Sequence, residues 1–361
     1  MSNKESIMPH RQLFCVLIAA ASILGLASAG QAEEWIITKN PYADVDWEAF
    51  GEHKANLHTH TTESDGRHTP AEVIDDYYEA GYEILAITDH NHVTWSWPDY
   101  GRDPEELLMV AVVGNELSRH HHANTLFTKY PEPIRRRSTG DLATSLRENE
   151  ELGALMFLCH PGRYWRPQDG QVPEHVRDEY AELFAEYPKL LGFEIHNQND
   201  RYPQDRLLWD ALLVESMPRR SVLAFANDDT HSSGHVGLNA NVFVVRELSL
   251  EHVRLALKRG QFYATTITTH PRDERDMTLA PRIAGIDYDR EAGTLTIDAR
   301  AGDEPLEDEA YTWISAGGEQ VHTGPTLDLN AVEGLDAYVR AEIRSPGGTT
   351  YTQAFGIRQR Q

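Results

Sequence analysis

Short apolar runs alternate with amphipathic segments along the first two thirds of the chain. The apolar runs predict buried strands at residues 54–60, 82–90, 108–117, 154–161, 191–197, 222–229 and 262–267. The amphipathic segments predict helices at residues 69–81, 141–153, 172–187, 205–216 and 250–260. Strands that are apolar on both faces and alternate with helices are typical of a parallel sheet covered by helices. The pattern therefore favours a closed or nearly closed (β/α) barrel over a doubly wound open sheet.

The pattern changes after residue 282 to short alternating strands. These strands are predicted at residues 283–288, 294–300, 311–315, 338–343 and 350–357, and Gly or Pro-Gly turns separate them. We therefore expect a barrel domain at residues 33–270 and a small all-β, sandwich-like domain at residues 282–358, joined near residues 271–281.

The N-terminal segment at residues 1–32 has the parts of a signal peptide. Lys4 and Arg11 flank the start of an apolar stretch at residues 13–26, and Ala27-Ser28-Ala29 offers small residues for cleavage. We predict export to the periplasm or the medium, with no stable membrane insertion after cleavage; an uncleaved anchor helix is the alternative. Cys159 is then the only cysteine of the mature chain, so an internal disulfide is excluded.

The chain carries a large excess of acidic residues. With 33 Lys and Arg against 57 Asp and Glu, the formal net charge is −24. A surface of this sign repels a nucleic-acid backbone, so we expect no duplex nucleic acid among the partners. A local cationic or metal-rich cleft can still attract small anions. The sequence does not indicate an oligomeric state.

Polar residues stand at the carboxyl ends of the predicted strands, where barrel enzymes place their active sites. His58 and His60 end the first strand, and both imidazoles can face one ion because residues i and i+2 of a strand share a face. Glu116 follows an apolar run, where an unpaired buried carboxylate is costly and a metal ion removes that cost. The remaining strand ends carry Asp89, His90, His160, Glu194, His196, Asp229 and His231. Together they predict a shared metal site.

These motifs resemble those of the PHP (polymerase and histidinol phosphatase) superfamily, and more closely its phosphoesterase branch. The matching motifs are His58-Thr59-His60-Thr61, Ser64-Asp65-Gly66, Thr69-Pro70 and Thr88-Asp89-His90, within a match over residues 56–266. The resemblance implies a distorted (β/α)7-type PHP barrel with two or three divalent ions at its mouth. An exported form with a β-rich tail resembles PHP metallohydrolases that include non-phosphate hydrolases as well.

The resemblance also implies which residues bind each ion. His58, His60 and Asp229 match the ligands of the first ion, and Glu116 matches the carboxylate that bridges the first and second ions. His160 matches a ligand of the second ion, joined by one of His120, His121 and His122, of which His122 fits best. Asp65, His90 and His231 match the ligands of the third ion. This mixed nitrogen and oxygen set suits zinc, manganese or iron.

The expected function is metal-dependent hydrolysis of a small-molecule phosphate ester, by a phosphatase or phosphodiesterase. Two ions can share a hydroxide that attacks phosphorus, so no serine or cysteine nucleophile is needed and Cys159 is expected to serve packing. Arg163 is a candidate catalytic residue as a phosphate clamp, with a surface salt bridge as the alternative. His196 is a candidate proton donor or support for a ligand, and Asp89 is expected to orient a ligand histidine.

Two other functions stay open. The same ions could hydrolyse carboxylic esters, carbamates or amides, which would be favoured by an Arg163 out of reach and by an apolar pocket of Trp95, Trp97 and Trp165. The other alternative is a non-catalytic exported protein that binds metal or another ligand; the complete set of ligands argues against it. The sequence does not decide between monoesters and diesters, or fix the identity and number of the metal ions.

Overall fold

The structure is a computed structural model that describes residues 34–129, 141–268 and 275–360. The signal peptide predicted at residues 1–32 lies outside these ranges, as does part of the predicted joint at residues 271–281. Within the described ranges, no helix combines the length and the apolar character needed to cross a membrane.

The first two thirds of the chain alternate strands and helices. The helices are α1 (Pro70–Glu79), α2 (Leu142–Glu151), α3 (Glu174–Glu186), α4 (Asp205–Ser216) and α5 (Leu250–Arg259). The strands are β1 (Trp35–Lys39), β2 (Gly51–Asn56), β3 (Ile84–Ile87), β4 (Val110–Leu117), β5 (Ala123–Leu126), β6 (Leu155–Leu158), β7 (Leu190–Asn197), β8 (Leu223–Asn227), β9 (Asn239–Val245) and β10 (Phe262–Ile267). Each predicted helix and strand of this region is present, with ends shifted by a few residues.

Strands β2 to β8 follow one another in a single sheet and form the barrel. The sheet closes where the end of β2 meets the end of β8, through a parallel bridge between Thr59 and Thr230 and a 2.9 Å hydrogen bond from His60 N to Thr230 O. Strand β3 is buried along its whole length, as expected of a strand covered on both faces. The expected distorted α/β barrel is confirmed.

The barrel departs from a purely parallel one at two strands that the apolar pattern did not predict. Strand β5 pairs antiparallel with both β4 and β6, and β9 pairs antiparallel with β2 and β10. Both strands bury asparagines that bond to neighbouring strands: Asn124 Nδ2 donates to Leu57 O at 3.0 Å, and Asn241 Nδ2 donates to Ala226 O at 2.9 Å. These buried amides replace the apolar side chains that a hydropathy pattern detects.

The tail from residue 282 is built from strands. They are β11 (Arg282–Asp289), β12 (Thr294–Ala301), β13 (Glu304–Pro305), β14 (Tyr311–Ser315), β15 (Glu319–Thr323), β16 (Thr326–Asp328), β17 (Tyr338–Ser345), β18 (Gly348–Tyr351) and β19 (Phe355–Gln359). Strands β11, β12, β13 and β16 form a sheet of their own. Strands β14, β15 and β17 to β19 instead continue the barrel sheet, because β18 pairs with β10 and β19 pairs with β1. The division into domains at residues 270 and 282 stays a prediction.

A buried ion-pair network also joins the tail to the barrel. Arg340 in β17 donates from Nε and Nη2 to the two carboxylate oxygens of Asp210 in α4, both at 2.7 Å, and from Nη1 to Glu342 at 2.9 Å. The Arg340 guanidinium also stacks over the ring of Trp209, 4.7 Å from its centroid. Because the buried charges are paired, the network avoids the cost of an isolated ion in the interior.

Candidate metal centre

The carboxylate of Glu116, at the end of β4, is the centre of the candidate site. It is fully buried and surrounded by imidazoles. Its Oε1 lies 2.7 Å from Nδ1 of His122, 3.4 Å from Nε2 of His58 and 3.6 Å from Nε2 of His160. Its Oε2 lies 2.7 Å from Nδ1 of His90 and 3.4 Å from Nε2 of His60. The structure thus brings residues from four barrel strands and their following loops to one carboxylate, as the sequence predicted.

The first expected ligand group has the spacing that a bound cation requires. Nε2 of His58 and Nε2 of His60 are 3.0 Å apart, and Oδ1 of Asp229 lies 3.3 Å and 3.2 Å from them. Four ligands at about 2.0–2.1 Å around a tetrahedral zinc ion would lie about 3.3 Å from one another. These three residues and Glu116 therefore fit a divalent ion.

The other two expected groups are also assembled. His122 and His160 both approach Glu116, whereas His120 is exposed and the His121 ring packs against Tyr164, so the choice of His122 agrees with the geometry. Asp65 Oδ2 lies 3.4 Å from Nε2 of His90, and Asp65 Oδ1 lies 3.3 Å from Nε2 of His231. The groups of three or four potential ligand atoms overlap, because His58, His60, His90 and Glu116 each belong to at least two of them. Their roles as ligands stay predictions.

The pKa values of the two central carboxylates are lowered, whereas those of the imidazoles shift in both directions. Burial alone would raise the pKa of Glu116, but His58 and hydrogen bonds from His122 and His160 outweigh it and hold that pKa well below its ordinary value. The pKa of Asp229 is also held low despite burial, mainly by His58 and His60. Burial lowers the pKa of His60 and of His122, whereas neighbouring acidic groups outweigh burial and raise the pKa of His58 and of His90. Ionised carboxylates and neutral imidazoles are the forms that bind metal ions.

Glu194 in β7 contacts two expected ligands, a role that the sequence analysis did not assign to it although it placed Glu194 at a strand end. Its Oε1 accepts from Nδ1 of His58 at 2.7 Å and from Asn227 at 3.0 Å, and its Oε2 accepts from the backbone N of His160 at 2.9 Å and from Asn197 at 3.0 Å. A proton held on Nδ1 of His58 leaves Nε2 free to bind an ion. A buried glutamate at a strand end was the available signal, but the strand also offered His196.

Asp89 is also buried, and it organises a loop rather than a histidine. It accepts hydrogen bonds from the backbone N and hydroxyl of Thr61, both at 2.7 Å, and from the hydroxyl of Ser64 at 2.6 Å. Gly66 closes this loop against the backbone of His60, where a Cβ would come within 2.5 Å of His60 O. The expectation that Asp89 orients a ligand histidine is therefore corrected: its side chain fixes the loop that carries Asp65.

Two expected ligands have strained backbones. His160 has φ 34° and Asp229 has φ 46°, both in the left-handed region that side chains other than glycine rarely adopt. Such strain persists when surrounding contacts hold it and is concentrated at functional sites. At His160, the hydrogen bond from its backbone N to Glu194 is one such contact.

The centre opens into a cavity of about 300 Å³ that also contains cationic side chains. Arg163 lines it from a short 3-10 turn after His160, and Arg201 and Tyr202 line it from the loop after β7. The predicted Arg163 thus lies at the centre, and Arg201 is a further candidate that the sequence reasoning missed. Two guanidinium groups beside the expected ligands suit an anionic substrate.

His196, the three tryptophans and Cys159 lie outside the cavity of the metal centre. His196 lines a separate cavity, where it contacts Tyr351 at 3.1 Å and Arg206 at 2.9 Å, because a bulge between Glu194 and His196 breaks the alternation of β7. The structure therefore does not support the candidate role of His196 as a proton donor or as a support for a ligand. The three tryptophans form no common pocket, since Trp97 is buried in the core with Trp95 against it and Trp165 packs with a different cluster. Cys159 is buried beside His58 within the apolar core, as expected of a packing residue.

No protein-family model matches the chain. No curated protein matches it either. Solved structures do: a two-domain protein from Bacteroides vulgatus that contains a predicted PHP-like metal-dependent phosphoesterase has a TM-score of 0.49 and 17% identity, over 91% of this chain and 100% of that one. A lesion-specific endonuclease from Pyrococcus furiosus has a TM-score of 0.39 and 17% identity, over 58% and 56% of the two chains. A protein from Bifidobacterium adolescentis, proposed to be a metal-dependent phosphoesterase, has a TM-score of 0.38 and 15% identity, over 57% and 96%. The solved structures similar to this chain thus include one that contains a predicted PHP-like metal-dependent phosphoesterase.

Proposed function

We propose that this chain is a metal-dependent hydrolase of small phosphate esters. The observation that carries the proposal is the convergence of five imidazoles and Asp229 on or beside the buried Glu116 carboxylate, in a cavity that Arg163 and Arg201 also line. Bound divalent ions would supply an activated water and stabilise charge that develops on the phosphoryl oxygens.

The protein side chains supply binding and orientation. Arg163 and Arg201 are the cationic side chains that line the cavity, so they would hold the phosphoryl oxygens while Glu194 keeps His58 in one tautomer. The ligand set, with imidazole nitrogens and carboxylate oxygens, suits two or three ions of zinc, manganese or iron. The position of Arg163 in the cavity favours an anionic ester over the carboxylic esters, carbamates or amides of the alternative function.

The substrate would be a small molecule that meets the protein outside the cytoplasm. A cavity of about 300 Å³ is at the lower limit of ligand pockets. The net charge of −24 disfavours a duplex nucleic acid. On the basis of the sequence, we also propose that the protein is exported to the periplasm or the medium. We further propose that it consists of a barrel domain and a separate β-domain.

The test combines metal content with turnover of three chromogenic esters. We expect purified protein to contain at least one transition-metal ion per chain and to hydrolyse 4-nitrophenyl phosphate or bis(4-nitrophenyl) phosphate faster than 4-nitrophenyl acetate. Glu116→Gln should lose bound metal and turnover, while Glu174→Gln, on an exposed face of α3, should retain both. Preferential turnover of the acetate would favour the alternative hydrolase, and full phosphoesterase activity in Glu116→Gln would place the chemistry elsewhere.

A further inference from the structure

Arg163 and Arg201, the two arginines that line the cavity of the metal centre, are exposed and free to meet an anion. Within the described ranges, neither guanidinium group forms an ion pair with a carboxylate. The guanidinium group of Arg201 instead lies over the ring of Tyr202, 5.4 Å from its centroid. Because long side chains reach an anion in a fixed geometry only if their backbones are fixed, the contacts behind these two arginines matter for binding.

The backbone at Arg163 is held from behind by a residue of another segment. Arg163 ends the short turn Pro161–Arg163, and the oxygen of the preceding peptide, Gly162 O, accepts a hydrogen bond from Nε2 of Gln204 at 2.8 Å. Arg166 also donates to this oxygen. The approach is close, since a Cβ at Gly162 would come within 2.7 Å of Nε2 of Gln204. These contacts fix the peptide that leads into Arg163.

The backbone at Arg201 is held through the preceding residue, Asp200. Nη1 and Nη2 of Arg206 donate to the two carboxylate oxygens of Asp200, at 2.7 Å and 2.9 Å. The loop is also closed on itself, because the backbone N of Arg201 donates to Asn197 O at 3.1 Å. A bidentate pair restrains both the position and the orientation of a carboxylate. It therefore restrains the short segment from which Arg201 extends.

Both supports come from the start of one helix, α4. Gln204 is the residue that caps α4, and Arg206 lies in its first turn. The body of the helix is anchored in the barrel core by Leu208, Trp209 and Leu212, which are buried. Side chains that project from a packed helix hold their partners more precisely than side chains on a loop. One rigid element thus supports both of the arginine-bearing segments.

We propose that Gln204 and Arg206 are positioning residues for binding of the substrate phosphoryl group. Gln204 sets the placement of Arg163, and Arg206 sets that of Arg201 through Asp200. The inference rests on the proposed function, in which the two arginines hold the phosphoryl oxygens. Each support acts on a different arginine, so the effects of losing them are separable.

The test is calorimetric binding of inorganic phosphate to the full-length, metal-loaded protein. Gln204→Met removes the donor to Gly162 O and keeps a side chain of similar length. Asp200→Asn removes the charge that pairs with Arg206, and asparagine tolerates the left-handed φ of 50° at this position. We expect each variant to fold by circular dichroism, to keep its metal and to bind phosphate about tenfold more weakly, because a displaced guanidinium group loses part of a charged hydrogen bond.

Asp178→Asn is the matched control for Asp200→Asn. Asp178 is an exposed carboxylate that pairs with Arg177 at 3.0 Å, and neither residue lines the cavity. Because its ion pair supports no arginine of the centre, Asp178→Asn should bind phosphate within twofold of the wild type.

Double variants separate positioning from a general loss of structure. Gln204→Met should change phosphate affinity by less than twofold in the Arg163→Gln background and keep its tenfold effect in the Arg201→Gln background. Asp200→Asn should show the opposite pattern, with its effect lost in the Arg201→Gln background and kept in the Arg163→Gln background. A general disturbance of the cavity would lower the affinity in both backgrounds.

The outcomes distinguish this inference from the proposed function. Wild-type phosphate affinity in Gln204→Met and Asp200→Asn, or equal effects in both arginine backgrounds, would overturn the inference even if phosphate esters are cleaved. Unchanged phosphate binding in Arg163→Gln and Arg201→Gln would overturn it as well, since neither arginine would then hold the anion. If the expected pattern appears but no ester is cleaved, the positioning roles stand and the proposed function fails.

Discussion

Replacing Glu194 by glutamine tests whether a residue outside the expected ligand set controls metal binding at the centre. Glu194 accepts four hydrogen bonds, from His58 Nδ1, Asn227, His160 N and Asn197. Glutamine has the same shape, but one of its two terminal groups is a donor. That amide nitrogen must therefore face two of the four donors in either orientation.

Both orientations of the amide disturb an expected ligand. If the nitrogen faces His58, Nδ1 of His58 must accept, and its proton moves to Nε2, the atom that faces Asp229 and Glu116. If the nitrogen faces the other pair, it opposes the backbone N of His160, and Asn197 must turn its amide away from Asp229, to which it now donates at 3.2 Å. Loss of such a supporting contact typically weakens metal binding about 10–100-fold, or about 1.4–2.8 kcal/mol.

The assay is competition for zinc or manganese with a chromogenic chelator, followed by circular dichroism to confirm the fold. We expect Glu194→Gln to fold and to bind the first ion 10–100-fold more weakly than the wild type. Glu174→Gln, on the exposed face of α3, should bind as the wild type does. A folded Glu194→Gln protein whose metal affinity stays within twofold of the wild type would refute this account of the tautomer.

Four further outcomes can be measured independently. Arg163→Gln should lower kcat/KM for a phosphate ester about 10–100-fold through loss of a charged hydrogen bond, with metal content unchanged. Arg340→Leu should cost about 3–5 kcal/mol in urea unfolding, since it leaves Asp210 buried without its partner. Removal of metal by a chelator should lower Tm, and added zinc or manganese should restore it, because binding stabilises only the folded state. Burial, aided by Arg206, lowers the pKa of His196 from 6.5 to about 4 in the folded protein. As the pH falls, His196 therefore gains its proton in the unfolded protein before it does so in the folded protein. The contribution of His196 to the free energy of unfolding is complete above pH 6.5 and decreases toward pH 4, by about 2 kcal/mol between pH 7 and pH 5. Urea unfolding of His196→Gln should therefore show a smaller pH dependence than that of the wild type.

The barrel could be predicted because its parallel strands are apolar on both faces. The sequence Ile84-Leu85-Ala86-Ile87 predicts a buried strand, and it forms β3. Helix α1 begins at the capping box formed by Thr69 and Glu72, which the sequence also indicates. Strand β9 was missed although it ends in an apolar run at residues 242–245; its first part contains two buried asparagines, which appear polar in sequence but bond to neighbouring strands. The continuation of the barrel sheet into the tail was also missed, because pairings such as β10 with β18 join distant segments.

Most of the candidate centre could be predicted because the carboxyl ends of barrel strands converge. His58, Glu116 and His160 follow buried strands, and the fold brings them together without any local signal of contact. The choice between Glu194 and His196 could not be made from sequence. Strand alternation would turn both side chains to one face, whereas the observed bulge separates them. Arg201 lies in a loop, where no periodic pattern indicates the direction of a side chain.

The pairing of β1 with β19 bears on how the polypeptide acquires its native state after synthesis. Trp35 in β1 lies opposite Gln359 in β19, so β1 can pair with β19 only after a long stretch of intervening chain has been synthesised. Long-range pairings of this kind raise contact order and slow folding. The β1 edge of the sheet therefore stays unpaired in a nascent chain until β19 has been synthesised.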